Sequence, residues 1–129
     1  MSKRSISVSL IMILVILGLA LIGFVTRSPE KSGIKNFSVE VVHSDYSTRT
    51  IACMSDVDYL GDVLLSKGVV EGYEGPYGIY IEVVDGEAAI YEETGAYWAF
   101  YINDEYATTG IDKTLIEDGA TYKFVYTKE

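Results

Sequence analysis

The feature that most limits how this chain can fold is an apolar run near its N-terminus. The run extends from Ile6 to Val25 without a single charged residue, and as a helix it would match a hydrocarbon layer roughly 30 Å thick. We therefore expect a transmembrane helix that anchors the protein. A cleaved signal peptide is the alternative, but its apolar core is normally shorter and ends in a small-x-small site, which the exit from Gly23 to Arg27 matches poorly.

The apolar run divides the chain into three predicted parts. Residues 1–26 form a cytoplasmic tip and the transmembrane anchor (or the signal peptide), and residues 27–36, which are polar and contain Pro29 and Gly33, form a flexible stalk. Residues 37–129 form one exported domain. Lys3 and Arg4 precede the run and give weak support for an N-terminus inside the cell. The expected location is the cell membrane, with one span and an extracellular C-terminal domain.

The charge of the exported part restricts its partners. The chain has 10 basic and 19 acidic residues, and only Lys3 and Arg4 precede Arg27, so 8 basic and 19 acidic residues remain and give a net charge of −11. Such an acidic domain argues against nucleic acid and anionic lipid as partners and suits cationic or neutral ligands. The single cysteine, Cys53, excludes an intrachain disulfide.

The first half of the domain reads as a hairpin followed by a helix. Residues 37–43 alternate between apolar and polar positions, as in a half-buried strand, and residues 47–54 form a β-branched return strand. A short helix is predicted over residues 59–67, with Asp56 or Asp58 as its cap.

The second half reads as further strands joined by tight turns. The glycine-rich stretch from Gly68 to Gly78 is predicted to be a loop, and Asp85-Gly86 marks a hairpin turn. The predicted strands cover residues 77–84, 87–91, 97–102, 105–108 and 121–127. A hairpin, one helix and then several strands predict an α+β fold, a β-grasp-like mixed sheet packed on one short helix, preceded by the N-terminal transmembrane helix.

The C-terminal third carries a family resemblance. The segments that carry it are Tyr97–Asp104, Gly110–Asp112 and Leu115–Phe124, with support from Leu60–Leu64 and Val84–Gly86. They resemble the C-terminal β-domain of transcobalamin and intrinsic factor and the related bacterial domains of unknown function grouped as DUF4430. In that family an aromatic strand meets a short turn, a Gly-hydrophobic-Asp segment follows, and an Asp-Gly turn leads into the closing strand.

The resemblance implies a ligand-binding domain. In the animal carriers this domain closes over one face of cobalamin, so the ligand suggested here is a corrinoid or another small molecule, and no cofactor is required. The alternative is a surface protein–protein interaction module that works with a transporter or a cell-wall assembly, because these residues contain no counterpart of the carriers' helical barrel.

The candidate binding residues are mainly aromatic, since Tyr and Trp combine flat apolar faces with a polar edge. Alternate aromatic residues on strands are also explained by a core on one face and cross-strand pairs on the other. Tyr97 and Trp98 are expected to point to opposite faces, so only one of them would line a site together with Phe100 or Tyr101. The ligand-binding candidates are Tyr77, Tyr97, Trp98, Phe100, Tyr101, Gly110 and Ile111.

No motif for catalysis or metal binding stands out. Asp56, Asp58 and Asp62 lack the glycine and the closing glutamate of a calcium loop. Neither a nucleophile elbow nor a zinc motif is present, and Cys53 with His43 would form a nucleophile pair only if the fold brought them together. The sequence therefore predicts a binding protein without catalytic or metal residues.

Overall fold

A computed structural model describes residues 33–129, and the predicted membrane span lies outside this range. Within residues 33–129 no helix has both the length and the apolar character needed to cross a membrane. The helices are α1 (Leu60–Ser66), α2 (Tyr91–Thr94) and a 3-10 helix (Ile111–Lys113). The strands are β1 (Lys35–Val42), β2 (Thr48–Ser55), β3 (Val70–Gly75), β4 (Gly78–Val84), β5 (Glu87–Ala88), β6 (Ala96–Ile102), β7 (Glu105–Tyr106) and β8 (Thr121–Lys128).

The larger sheet has five strands in the order β2-β1-β8-β6-β7. β1 pairs with β8 in parallel, while the β1–β2, β6–β8 and β6–β7 pairs are antiparallel. The sheet is therefore mixed, as predicted, and the fold is of the α+β class with few helices. The predicted opening hairpin is also confirmed, because eight consecutive residue pairs join β1 to β2.

One face of this sheet forms the core. Phe37, Val39 and Val41 of β1 are buried together with Tyr122 and Phe124 of β8, as the alternation along both strands predicts. Leu60, Val63 and Leu64 of α1 join the same hydrophobic cluster. The buried Tyr122 hydroxyl is also satisfied, because it donates to the Leu115 carbonyl and accepts from the Glu117 N–H.

A second sheet has three strands in the order β3-β4-β5, and it corrects the prediction of a glycine-rich loop. Val70–Gly75 is a strand that pairs with β4 antiparallel. The register shifts between Glu71 and Gly72, so that Glu82 is an extra residue in β4, a β-bulge. The bulge changes the alternation of β4, so Val84 is fully buried while Ile79 and Ile81 also pack against the core.

Several predicted local features differ from the structure. Tyr59, not Asp56 or Asp58, is the N-cap of α1 and makes no side-chain capping bond. The Leu60 N–H instead donates to the Thr114 carbonyl at 2.9 Å, so the neighbouring segment replaces a cap. The predicted strand over residues 87–91 is paired only at Glu87–Ala88 and then enters α2.

Candidate ligand-binding site

A groove of about 220 Å³ lies between the two sheets, and we call it the inter-sheet groove. Strand β4 forms one wall, β6 forms another, and the segment from β7 to the 3-10 helix completes it. The residues that line it are Ile79, Tyr80, Ile81, Tyr97, Trp98, Phe100, Tyr106, Ala107, Thr109, Gly110 and Ile111. Five of these residues are aromatic, and no charged residue is among them.

Trp98 and Phe100 form an aromatic wall that the core holds in place. Both face the core because they alternate along β6 with Tyr97 and Tyr101. Trp98 packs edge-on against Tyr126 at 5.6 Å between ring centroids, and its indole N–H donates to the Glu87 carbonyl at 3.2 Å. Phe100 stacks on Phe124 at 5.0 Å. These contacts give the wall little freedom to collapse into the groove.

The free edge of β6 adds hydrogen-bonding groups to the same wall. The Phe100 carbonyl accepts from the Ala107 N–H, which shows that Phe100 directs its backbone groups away from β8. Because backbone groups alternate in direction along a strand, those of Trp98 point to the same side. β7 pairs only with Tyr101 and Ile102, so no described strand pairs with Trp98 there. The wall therefore offers one N–H and one C=O to a ligand.

The segment Gly110–Asp112 closes one end of the groove. Ile111 is fully buried, and one Asp112 carboxylate oxygen accepts from the Ile79 N–H at 3.3 Å, which ties the 3-10 helix to β4. A Cβ at Gly110 would lie 2.8 Å from that oxygen, so glycine leaves the room that the carboxylate needs. This contact explains why a glycine and an aspartate stand two positions apart in the Gly-hydrophobic-Asp segment.

The structure brings five of the seven candidate residues to the groove. Trp98, Phe100 and Ile111 are buried in its walls, and Gly110 borders it. Tyr97 also borders it, although alternation places its side chain on the opposite face from that of Trp98.

The other two candidates lie elsewhere. Tyr101 is on the opposite face of the sheet, where its ring packs edge-on against Tyr106 at 5.5 Å and lies under the Lys123 ammonium. Tyr77 is 94% exposed at the tip of the β3–β4 hairpin.

Sequence reasoning missed part of the groove and a polar cluster beside it. Ile79, Tyr80 and Ile81 line the groove. The sequence did contain a signal for them, because alternation along a strand places the two isoleucine side chains on one face of β4 and the Tyr80 side chain on the other. The polar cluster joins the two hairpins, and we call it the two-sheet clasp. Its members are His43, Ser44, Arg49, Asp85 and Glu87.

The two-sheet clasp centres on His43. Its Nδ1 lies 2.9 Å from a Glu87 carboxylate oxygen, and its Nε2 lies 3.0 Å from one of Asp85. Hydrogen bonds to Glu87 and then to Asp85 raise the pKa of His43 above its ordinary value of 6.5, although burial opposes them. Arg49 also pairs with Asp85, and Ser44 donates to Glu87. The His43 ring meets the edge of Trp98 at 6.1 Å, so the clasp backs one wall of the groove.

Both ring nitrogens of His43 are engaged with carboxylates in the clasp. Cys53 is buried in the core, with its sulfur 3.9 Å from the Ile51 carbonyl, and it pairs with Phe37 near the start of β1, whereas His43 follows the end of that strand. The fold therefore does not bring Cys53 and His43 together as a pair. Among residues 33–129 no group of three or more His, Cys, Asp or Glu side chains is arranged to hold a metal ion.

Comparison with known proteins identifies the family. The model of a domain of unknown function, DUF4430, matches residues 58–128. A crystal structure from Ruminococcus gnavus is 30% identical, with 74% of this chain and 98% of that chain covered and a TM-score of 0.70. The chain belongs to the DUF4430 family. The R. gnavus relative of this DUF4430 domain is described as a "putative metal binding protein".

A more distant likeness supports the fold of the DUF4430 domain alone. The crystal structure of haptocorrin in complex with Cbi aligns with a TM-score of 0.55 at 13% identity, covering 74% of this chain and 25% of that chain. The predicted likeness to carriers of the transcobalamin type is thus confirmed for the fold. No curated protein matches the sequence.

Proposed function

We propose that this DUF4430 domain captures a small molecule in the inter-sheet groove. The observation that carries the proposal is the wall formed by β6, where the rings of Trp98 and Phe100 stand beside the unpaired backbone groups of Trp98. An apolar concave surface with a few fixed polar groups is the usual composition of a ligand site. The β-grasp-like arrangement of β1, β8 and β6 around α1 holds this wall in place.

The size of the groove limits what it can enclose. Pockets that enclose drug-sized ligands have volumes of roughly 300–1,000 Å³, and the groove has about 220 Å³. It therefore takes one ring or one amide side chain, while the rest of a larger ligand lies across its rim. A corrinoid, which carries amide side chains around a flat macrocycle, fits this description, and the fold likeness to haptocorrin makes it the first ligand to test.

We also propose that the domain works on the outer face of the cell membrane, anchored through the apolar run from Ile6 to Val25. The support is that this run has twenty uncharged residues and that an acidic domain suits an exported protein. Protease added to intact cells should digest the domain. A domain that stays intact until the cells are lysed would contradict this placement.

A titration of the full-length chain in maltoside micelles tests the groove. We expect cyanocobalamin or cobinamide to bind saturably, with a change in corrin absorbance and quenching of Trp98, the only tryptophan. Ala107→Leu should weaken binding about fivefold, because the larger side chain fills part of the groove. Ala107 lies opposite Phe100 and on the same face, since Tyr101 pairs with Tyr106 and the Ala107 N–H donates to the Phe100 carbonyl.

Ala52→Leu is the matched control, since Ala52 is exposed on β2 and does not line the groove. It should bind as the wild type does. Absence of saturable binding by either corrinoid would reject a corrinoid as the ligand. Equal losses in Ala107→Leu and Ala52→Leu would reject the groove as the place of binding.

The alternative function, docking of a protein partner, has its own supporting observation. β2 is an outer strand of eight residues without a bulge or a proline, whereas β5 and β7 have two residues each. The His43 N–H donates to the Ser47 carbonyl, so the backbone groups of Ser47 point towards β1. Because this direction alternates along a strand, the N–H and C=O groups of Thr50 and Ala52 point away from β1. Such an edge accepts an added strand.

Thr50→Pro tests this alternative, since it removes an outward N–H that the fold itself does not use. If strand addition operates, a partner that co-purifies with the wild-type chain from solubilised membranes should be lost with Thr50→Pro. A partner retained by this variant, with the fold intact, would contradict strand addition at β2.

A further inference from the structure

A second concave surface lies outside the groove, at the hairpin that joins β3 to β4. It is a cleft of about 160 Å³, and we call it the tyrosine cleft. Tyr73 is 51% exposed and Tyr77 is 94% exposed, so both rings are accessible to a ligand. The residues that line the cleft are Tyr73, Gly75, Pro76, Tyr77, Gly78, Ile79 and Tyr80.

Two of the rings of the cleft are packed against each other at an incline. Tyr73 and Tyr80 are cross-strand partners, with ring centroids 5.4 Å apart and planes at 37°. This tilt lies between the offset-stacked and edge-to-face arrangements that aromatic pairs prefer. Two ring faces therefore border one small cleft, with Tyr77 beside them at the hairpin tip.

Acidic side chains lie near the cleft. From Gly68 to Asp112 the sequence contains ten acidic residues and no Lys, Arg or His. Glu71 and Glu74 are exposed on β3, the strand that carries Tyr73. Burial raises the pKa of Tyr80, and the negative charges of Glu92 and Glu82 raise it further. The cleft thus combines electron-rich ring faces with a negative potential, and both attract a cation.

We propose that the tyrosine cleft binds an organic cation of the alkylated ammonium class. Ring faces attract such a cation through their quadrupole, and its alkyl groups contact the exposed ring faces directly, which a hydrated metal ion does not. Aromatic walls without a converging set of carboxylates also distinguish the cleft from a metal site. This site is separate from the inter-sheet groove, although the two share Ile79 and Tyr80.

Tetramethylammonium is the probe, added to the full-length chain with ring-labelled tyrosine in maltoside micelles, which lack choline head groups. We expect saturable shifts of the Tyr73, Tyr77 and Tyr80 ring signals, weakened by high salt because the attraction is partly electrostatic. Neopentyl alcohol, a neutral molecule of similar shape, should bind about fivefold more weakly or not at all.

Tyr77→Ala should lower the affinity for tetramethylammonium about fivefold, and its exposed position leaves the fold unaffected. Tyr73→Ala should do the same, while Tyr73→Phe, which keeps the ring, should bind within about twofold of the wild type. Ala107→Leu, which alters the groove and does not line the tyrosine cleft, should leave this affinity unchanged.

Equal binding of the neutral molecule, or full affinity in both alanine variants, would overturn the proposal. So would a lysine-rich peptide that shifts these tyrosines when tetramethylammonium does not, because the cleft would then recognise a protein. Loss of tetramethylammonium binding in Ala107→Leu alone would assign the cation to the groove instead and would also reject the tyrosine cleft.

Discussion

Gly72→Ala is expected to lower the free energy of unfolding by about 2–4 kcal/mol. A Cβ at Gly72 would lie 2.1 Å from the Tyr80 carbonyl oxygen, inside any van der Waals distance, and the atom it meets is backbone that cannot rotate away. The bulge brings these two strands together at this point. Relief of the clash therefore requires β3 and β4 to separate or to change register.

Gly75→Ala is the matched control for this prediction, since it lies in the same strand and its added Cβ would approach the Gly78 carbonyl only to 3.4 Å. Chemical denaturation of both variants measures the difference. We expect Gly75→Ala to change stability by less than about 1 kcal/mol. A loss of similar size in both variants would show that the bulge does not determine the packing of β3 on β4.

The second large effect concerns the two-sheet clasp and pH. Because the pKa of His43 in the folded protein lies above its ordinary value of 6.5, the stabilising contribution of His43 is fully present below pH 6.5. That contribution is lost as the pH rises through the folded pKa, since a neutral imidazole can donate to only one of the two carboxylates. We expect stability to fall by about 1–2 kcal/mol over this rise.

The Glu87 carboxylate sets the lower limit of the pH range in which the clasp is complete. Burial raises the pKa of Glu87, but hydrogen bonds from Ser44 and His43 outweigh it and leave the pKa below its ordinary value of 4.5. The contribution of Glu87 is therefore present above pH 4.5 and lost as the pH falls through the folded value. The clasp is complete between about pH 4.5 and 6.5.

Denaturation from pH 5 to pH 9 checks this prediction, together with an NMR titration of His43, the only histidine. His43→Gln should be less stable at pH 5.5 and should lack the fall in stability above pH 6.5. Glu87→Gln should move the His43 titration to lower pH, because it removes the larger of the two hydrogen-bond contributions. A His43 pKa at or below 6.5 in the wild type would contradict the clasp.

The sequence predicts those strands whose own residues alternate between buried and exposed positions. β1, β6 and β8 bury alternate residues, so their periodicity of two is visible in Phe37, Val39 and Val41 without knowledge of any neighbour. The same alternation assigns Trp98 and Phe100 to one face. These two residues form the aromatic wall of the groove, so that wall could be predicted from the sequence.

The missed features depend on contacts between distant segments. The sequence of β3 predicts a loop because glycine favours turns, yet Gly72 is needed for the close approach of the Tyr80 carbonyl. The start of α1 has no capping side chain because the Thr114 carbonyl takes that role. The clasp joins His43 to two carboxylates more than forty positions away, and no local pattern relates them.

The most direct test of ligand capture in the inter-sheet groove is a methyl NMR titration of the isoleucine-labelled full-length chain with cobinamide. We predict saturable shifts of Ile79, Ile81 and Ile111, which line the groove. Ile34, which is 55% exposed, and Ile51 on β2 should not move. Shifts confined to Ile34 or Ile51, or no shift of the three groove methyls at concentrations where cobinamide binds the chain, would contradict capture in the groove.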